Sequence, residues 1–345
     1  MRKLVTIVLV LSLVIGVCAV YAQASKEALQ QQLTELQKKR DVLVEQMKVA
    51  NEAGDRNAYN IAEADYKKVL DELEKVKAEI SKFIAQSNED AKVKLLYNKG
   101  NKFVKLGQYE NAIKEYDAAI EQDPGYVRAY FGKAIALKKM RRYDEAEQAY
   151  QKVIEIDPTM ARAYFNLGIL YRSREQYNKA IDIYQKALTY DETLYKAYYE
   201  IGYNYYKLKN YPNAVTAYEK AVQINGEYTK AFTALGTSLI ELGRYSEAVT
   251  NLEKSIQLKP QSNHVAYYRL AVAYNNLGKY NQAILAAQTC VQQKRGFAAA
   301  YLEIGKAKES LGDMAAAVQN FKQAAKDRRY AKWVEWKLDQ INKNQ

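Results

Sequence analysis

Through most of this chain, apolar and small residues recur at i, i+3, i+4 and i+7, the spacing of one face of an α-helix. In the stretch that ends at Pro158, Tyr130, Lys133, Ala134 and Leu137 mark one such face. After a break at Arg142 and Tyr143, the residues Ala146, Tyr150, Val153 and Ile154 mark a second. Pro158 ends that second helix, because proline has no amide donor and its ring clashes with the preceding turn. The next stretch reads Tyr164, Leu167, Gly168 and Tyr171, then Tyr177, Ala180, Tyr184 and Ala187. The unit is a pair of short helices, and it is copied.

The copies keep phase. Ala112, Ala146, Ala180, Ala214, Ala248, Ala283 and Ala317 follow one another at 34, 34, 34, 34, 35 and 34 residues. A second set of small residues, Gly100, Ala134, Gly168, Gly202, Gly236, Ala271 and Gly305, marks the first helix of each pair. Glycine inside a helix costs about 0.5–1 kcal/mol relative to alanine, so its recurrence calls for a packing reason. Close approach of the two helices, with tyrosines filling the space around the contact, supplies one. A fixed period of this length predicts stacked copies of one supersecondary unit.

The pattern resembles the tetratricopeptide repeat. The large aromatic of that family stands here as Tyr130, Tyr164, Tyr198, Phe232, Tyr267 and Tyr301. Its Leu-Gly pair stands as Leu167-Gly168 and Leu235-Gly236, with Ile201-Gly202 and Ile304-Gly305 as variants. Its turn tyrosine stands as Tyr109, Tyr143, Tyr177, Tyr211, Tyr245 and Tyr280. The closing proline is kept at Pro124, Pro158 and Pro260, while Glu192 and Gly226 replace it elsewhere. The resemblance implies an all-α protein, a right-handed α-solenoid of about seven helix-turn-helix repeats over residues 93–327. Residues 328–345, with Trp333, Val334, Trp336 and Leu338 on one amphipathic helix, would cap the stack and end in a polar tail.

Residues 25–88 have another grain. Leu29, Leu33, Leu36, Leu43, Met47 and Ala50 step by threes and fours, interrupted at Arg40. After Asn51–Asn57, the positions Tyr59, Ala62, Tyr66, Val69, Leu73, Val76, Ile80 and Phe83 do the same. Apolar residues about every 3.5 positions with charges between them specify a coiled-coil seam. Gly54 is placed to end one helix, with Asp55 or Asn57 opening the next. Two helices of about 40 Å each would fold back as a hairpin or run on as one self-associating rod. Ser87-Asn88-Glu89-Asp90 reads as a polar joint into the first repeat.

The first 24 residues carry Arg2 and Lys3, an apolar run over Leu4–Val20, and the small-residue exit Ala22-Gln23-Ala24. That arrangement predicts an export leader, either cleaved or kept as an anchor, and a protein working in the periplasm or otherwise outside the cytoplasm. Cys18 follows Val17 rather than a small residue, so a plain leader cysteine is the better reading than a lipid-modified one. Cys290 is then the only thiol, at a position where other copies carry Ala, Val or Ser, and it reads as a small core residue. The net charge of +12 drops to +10 without Arg2 and Lys3, so the exported protein stays basic.

Catalytic chemistry finds little to stand on. The single histidine, His264, sits where the repeat period slips by one residue, and no G-x-S-x-G, H-E-x-x-H or P-loop string occurs. The reading is a non-enzyme with no cofactor or metal. Export and the lack of a dense basic cluster argue against a nucleic-acid partner.

The informative polar pattern is a ladder. Lys94, Arg128, Arg162, Lys196 and Lys230 hold one position in five successive copies, and Tyr97, Phe131, Phe165 and Tyr199 follow three residues later. The resemblance places both sets on the concave inner wall. A groove with these cations and ring edges suits a protein or peptide ligand carrying acidic side chains or a free carboxylate. Asn101 and Arg162 stand where some relatives hold a C-terminal carboxylate, but Tyr97, Gly132 and Asn166 at its other key positions break that constellation. Lysine and tyrosine are also ordinary at these positions in the family, so part of the ladder is common to such repeats.

Two functions stay open at this stage. One is an exported scaffold that grips a partner in the groove, within a cell-envelope complex or against acidic envelope surfaces. The other is a structural spacer that self-associates through residues 25–86, since the order of segments is similar to that of the Tol-associated periplasmic coordinators of cell division.

Overall fold

The structure, a computed structural model, describes the backbone of residues 2–343 and the side chains of residues 25–343. The export-leader reading of residues 1–24, with Cys18, rests on side chains that lie outside the described ones. Among the described residues the chain is wholly α-helical and falls into two compact units, one ending at Ala129 and the other beginning at Tyr130.

The first unit holds α1 (Arg2–Glu52), α2 (Arg56–Lys105) and α3 (Tyr109–Gln122). The chain folds back at Gly54, whose φ of 71° is a left-handed conformation that suits glycine. Asp55 then caps α2, its carboxylate accepting from the amides of Asn57 and Ala58 at 3.1 and 3.0 Å. Leu36 and Leu43 pack against Val69, Leu73 and Val76, with Leu29, Leu33, Tyr66 and Ile80 at the margins. Residues 25–86 therefore make an antiparallel helical hairpin.

The polar joint at Ser87–Asp90 is absent. These residues lie inside α2, which runs unbroken from the hairpin into the first repeat. Neither glycine nor proline interrupts residues 56–99, and Gln86 donates to Asp90 one turn on at 3.1 Å. Polarity alone does not stop a helix whose backbone bonds are already satisfied. The last turns of α2 pair with α3 through Val93, Ala112, Tyr116 and Ala119.

The second unit stacks six more helical pairs. They are α4 (Val127–Lys139) with α5 (Tyr143–Ile156), α6 (Ala161–Ser173) with α7 (Tyr177–Tyr190), and α8 (Tyr195–Lys207) with α9 (Tyr211–Ile224). There follow α10 (Thr229–Glu241) with α11 (Tyr245–Leu258), α12 (His264–Asn276) with α13 (Tyr280–Gln293), and α14 (Ala298–Ser310) with α15 (Met314–Ala324). The boundary between the units falls inside α4. The tyrosine read as a turn marker is the first residue of each second helix from α3 to α13.

The small residues of the first helices serve a side chain rather than a neighbouring backbone. A Cβ on Gly100, Gly168 or Gly202 would lie 2.5–2.7 Å from the ring of Tyr116, Tyr184 or Tyr218, sixteen residues on. Gly236 makes the same room for Leu252, and Gly305 for Phe321. At that register the sixth pair has Ala271 and Ala287, both fully buried. Ring and missing Cβ thus form one lock in four of the pairs, at Gly100, Gly168, Gly202 and Gly305, and the seven alanines of the second helices are all buried.

Each pair also turns through one left-handed residue: Gly107, Arg141, Glu175, Lys209, Gly243, Gly278 and Gly312. The residue that follows closes a helix cap, as Gln108 does by donating to the Phe103 carbonyl at 2.9 Å. Arg141, Glu175 and Lys209 accept this conformation with a side chain attached, at a cost of about 1–2 kcal/mol each.

The extra residue of the 35-residue step lies in the loop before α12. Asn263 is buried there, its side-chain amide donating to the carbonyl and hydroxyl of Ser255 at 3.1 Å each. Gln293 accepts from the Asn263 backbone N–H at 2.8 Å and donates to the Pro260 carbonyl at 2.8 Å.

Helix α16 (Arg328–Lys343) covers the end of the stack, with Val334 and Ile341 buried against Ala317, Phe321 and Ala324. The tryptophans contribute less than their size promises. Trp333 sets its face at 76° to Phe321, 5.7 Å away, while Trp336 stays 56% exposed. Cys290 is fully buried, and burial pushes its thiol up to about 11, an inert core position. Among the described residues, no helix is long and apolar enough to cross a membrane.

Candidate functional site

In the second unit the first helices of neighbouring pairs touch one another, α6 with α8, α8 with α10, α10 with α12 and α12 with α14. They form a continuous wall. Arg162, Lys196 and Lys230 stand exposed on α6, α8 and α10, and in the first unit Lys94 and Arg128 are exposed as well. The Arg162 guanidinium lies 5.8 Å from the centre of the Phe131 ring, and the Lys196 ammonium lies 5.8 Å from that of Tyr195. Such placement holds a cation over a negative ring face while leaving it in reach of solvent.

The aromatic half of the ladder is packed inward. Tyr97, Phe131, Phe165 and Tyr199 are half-buried, each 5.6–6.0 Å from the second-helix ring of its own pair, Tyr116, Tyr150, Tyr184 or Tyr218. They brace the locked rings as much as they edge a groove. Asn101 is occupied, accepting from the Tyr116 hydroxyl at 2.8 Å. Asn166 donates to the Arg162 carbonyl at 2.9 Å and accepts from the Lys138 ammonium at 3.3 Å.

A concave feature of this wall lies between α8, α10 and α12, a cavity of about 670 Å³. Of the expected site residues, only Tyr199 and Lys230 line it. One side is aromatic, with Tyr199, Tyr203 and Tyr206 of α8 at helical spacing and Tyr218 and Tyr228 behind them. The Tyr228 ring meets Tyr195 at 5.0 Å and Tyr199 at 5.2 Å, both edge to face. The other side is Thr229, Thr233 and Thr237 of α10, and Lys230, Lys259 and Arg269 bring positive charge to the lining against one acid, Glu227. Burial raises the phenol pKa of Tyr199, Tyr206 and Tyr228, so these rings stay neutral.

Beside the cavity sits a half-buried ion pair. Arg172 Nε lies 3.2 Å from Glu200 Oε2 across α6 and α8, without the alignment of a hydrogen bond. The same guanidinium stands 5.4 Å from the Tyr203 ring centre. Burial raises the Glu200 carboxyl above its ordinary value, opposed first by Arg172 and then by Lys230. Lys138, one repeat earlier, is pushed down by burial and by the charges of Lys139 and Arg172.

Tyr203, Tyr206, Thr233 and Arg269 escape a search for recurring residues because they are where recurrence fails. Thr229, Thr233 and Thr237 occupy the register positions of Tyr195, Tyr199 and Tyr203 one repeat earlier. Three rings in one copy become three small side chains in the next. That contrast, and the single 35-residue step, were the signals in the chain.

No cluster of His, Cys, Asp and Glu suited to a metal occurs among the described residues. His264 meets the Phe297 ring edge to face at 5.5 Å, and burial with the nearby Lys294 lowers its pKa.

Stacked two-helix units with a ring locked over a small residue define an α-helical repeat scaffold. Profiles of the tetratricopeptide repeat match residues 97–161, 161–194, 195–228, 239–303 and 298–326. The chain belongs to the tetratricopeptide repeat family, whose fold serves as a protein-interaction scaffold. No functionally curated protein is significantly similar to it.

Among solved structures, it is similar to the C-terminal part of a TPR repeat-containing protein from Cytophaga hutchinsonii. That match has 20% identity and a TM-score of 0.56, covering 68% of this chain and 98% of that one. A tetratricopeptide repeat protein from Parabacteroides merdae is also 20% identical, at a TM-score of 0.52 over 71% of this chain and 98% of that one. PilW, a type IV pilus biogenesis factor, is 17% identical at a TM-score of 0.51, covering 59% and 94%. At these identities the likeness is one of fold.

Proposed function

We propose that this protein is an exported, non-enzymatic adaptor that holds an extended, acidic segment of a partner protein along the first-helix wall, within a cell-envelope assembly. The observation that carries the reading is the exposure of Arg162, Lys196 and Lys230 on three consecutive first helices that touch one another. Aligned cations at repeat spacing attract a carboxylate-bearing strand, and arginine grips a carboxylate with two parallel bonds.

The test is crosslinking of the tagged protein in the envelope fraction of its native cells, with neighbours identified by mass spectrometry. We expect one or more partners to be lost when Arg162, Lys196 and Lys230 are all changed to Glu, with the wild-type interaction weakening as salt rises. An unchanged set of partners around a folded triple variant would rule out the wall. Recovery of the protein in the cytoplasmic fraction alone would rule out export.

A second reading, a self-associating spacer, is favoured by the hairpin. Val49 and Ile61 are 56% and 58% exposed and line an apolar trough of about 750 Å³ close to the turn at Gly54. Sedimentation velocity of residues 25–345 should then report an oligomer, and Val49→Glu with Ile61→Glu should return it to a monomer. A wild-type monomer at tens of micromolar concentration removes this reading.

A further inference from the structure

We propose that the cavity between α8, α10 and α12 receives an aromatic side chain of the bound segment, flanked by carboxylates. This deepens the adaptor reading and rests on it. Two departures from the repeat meet at this one place. The aromatic rung that continues through Tyr97, Phe131, Phe165 and Tyr199 is missing at Thr233 and resumes at Tyr268. The only extra residue of the array, in the loop ending at Asn263, lies against the same space.

The gap left by the missing rung is held open. Thr233 Oγ1 is 2.7 Å from Ser255 Oγ, which donates to the Thr229 carbonyl at 3.2 Å and accepts from Asn263 at 3.1 Å. The second-helix register position of Ser255 carries alanine in four other copies, Ala119, Ala187, Ala221 and Ala324. A hydroxyl there ties the threonine side to the inserted loop, so neither collapses into the space.

The chemistry of the lining selects a ring. The Thr233 and Thr237 hydroxyls are engaged with the carbonyls of Thr229 and Thr233, at 3.3 and 2.8 Å. With Thr233 Oγ1 also against Ser255 Oγ at 2.7 Å, both hydroxyls are engaged within the protein. That surface offers little to a sugar and much to an aromatic side chain, which prefers edge-to-face contact with Tyr199 and Tyr203. The surplus of positive charge carried by Lys230, Lys259 and Arg269 over Glu227 supplies the partner for acids on either side of the ring.

The full chain is titrated against fluorescein-labelled Gly-Gly-Glu-Phe-Glu-Gly-Gly, with fluorescence anisotropy as the readout. Replacing Phe by Ala should weaken binding by about tenfold or more, the scale of burying one aromatic side chain. Replacing both Glu by Lys should weaken it comparably. Thr233→Tyr restores the rung and should abolish the Phe preference, and Arg269→Glu should weaken the Phe peptide. Equal affinity of the Phe and Ala peptides for the wild type overturns the proposal, as does the absence of saturable binding up to millimolar Phe peptide. Should Thr233→Tyr not fold, Arg269→Glu and the peptide comparison decide alone. If both peptides bind alike and Arg162→Glu with Lys196→Glu abolishes both, the wall reading stands while the cavity proposal falls.

Discussion

Gly168→Leu should destabilise the second unit by at least about 1–3 kcal/mol, the ordinary cost of overpacking a filled core. The new Cβ alone would stand 2.5 Å from the Tyr184 ring, which is itself buried with no open side to move toward. Leucine is a far better helix former than glycine, by nearly 1 kcal/mol, so propensity argues for stabilisation and packing against it. Packing wins because the ring and the leucine claim the same volume. Thermal unfolding followed by circular dichroism checks the result, each kcal/mol lost lowering the midpoint by about 2–4 °C in a unit of this size. The cause is tested by adding Tyr184→Ala. The double variant should regain much of the loss, since the buried Ala271 and Ala287 show a natural pair without ring or glycine. A double variant that is simply the sum of two injuries would refute the lock.

Arg172→Met should cost about 1–3 kcal/mol at neutral pH, the scale of leaving a half-buried charged acceptor without its partner. The loss should depend on pH in a defined direction. Glu200 already sits above its ordinary value of 4.5 because burial outweighs Arg172 and Lys230. A carboxyl with a raised folded pKa binds more protons when folded, so its contribution to stability falls as pH climbs from about 4.5 through the folded value. Removing Arg172 takes away the largest opposing influence and raises that folded value further. The variant's deficit relative to wild type should therefore be small near pH 4 and full near pH 8. Matched unfolding curves at both pH values decide it, and an equal deficit at each would mean that packing of the arginine stem, not its charge, matters.

The helical pairs were legible because helix periodicity is local and the repeat period multiplies it. Ala146 or Gly168 alone proves nothing, but each is confirmed by its counterparts a fixed distance away. What each glycine accommodates was not legible, because Tyr116, Tyr184 and Tyr218 become its neighbours only when the hairpin closes. The turn position was hidden for a different reason. Arg141, Glu175 and Lys209 adopt the same left-handed backbone as Gly107 and Gly243, so no single residue type marks it. Ser87–Asp90 has the polarity of a joint, yet the segment has no helix breaker and stays helical. The cavity is marked by mismatch rather than recurrence: Thr229, Thr233 and Thr237 fail to match Tyr195, Tyr199 and Tyr203.

The unbroken course of α2 has a mechanical corollary. Fifty residues of continuous helix make a strut about 75 Å long, one end of which is the hairpin turn and the other a structural part of the first repeat. No swivel separates them. Whatever seizes the tip at Gly54 thereby aims the first repeat, and torque applied at either end is delivered to the other as it would be along an axle.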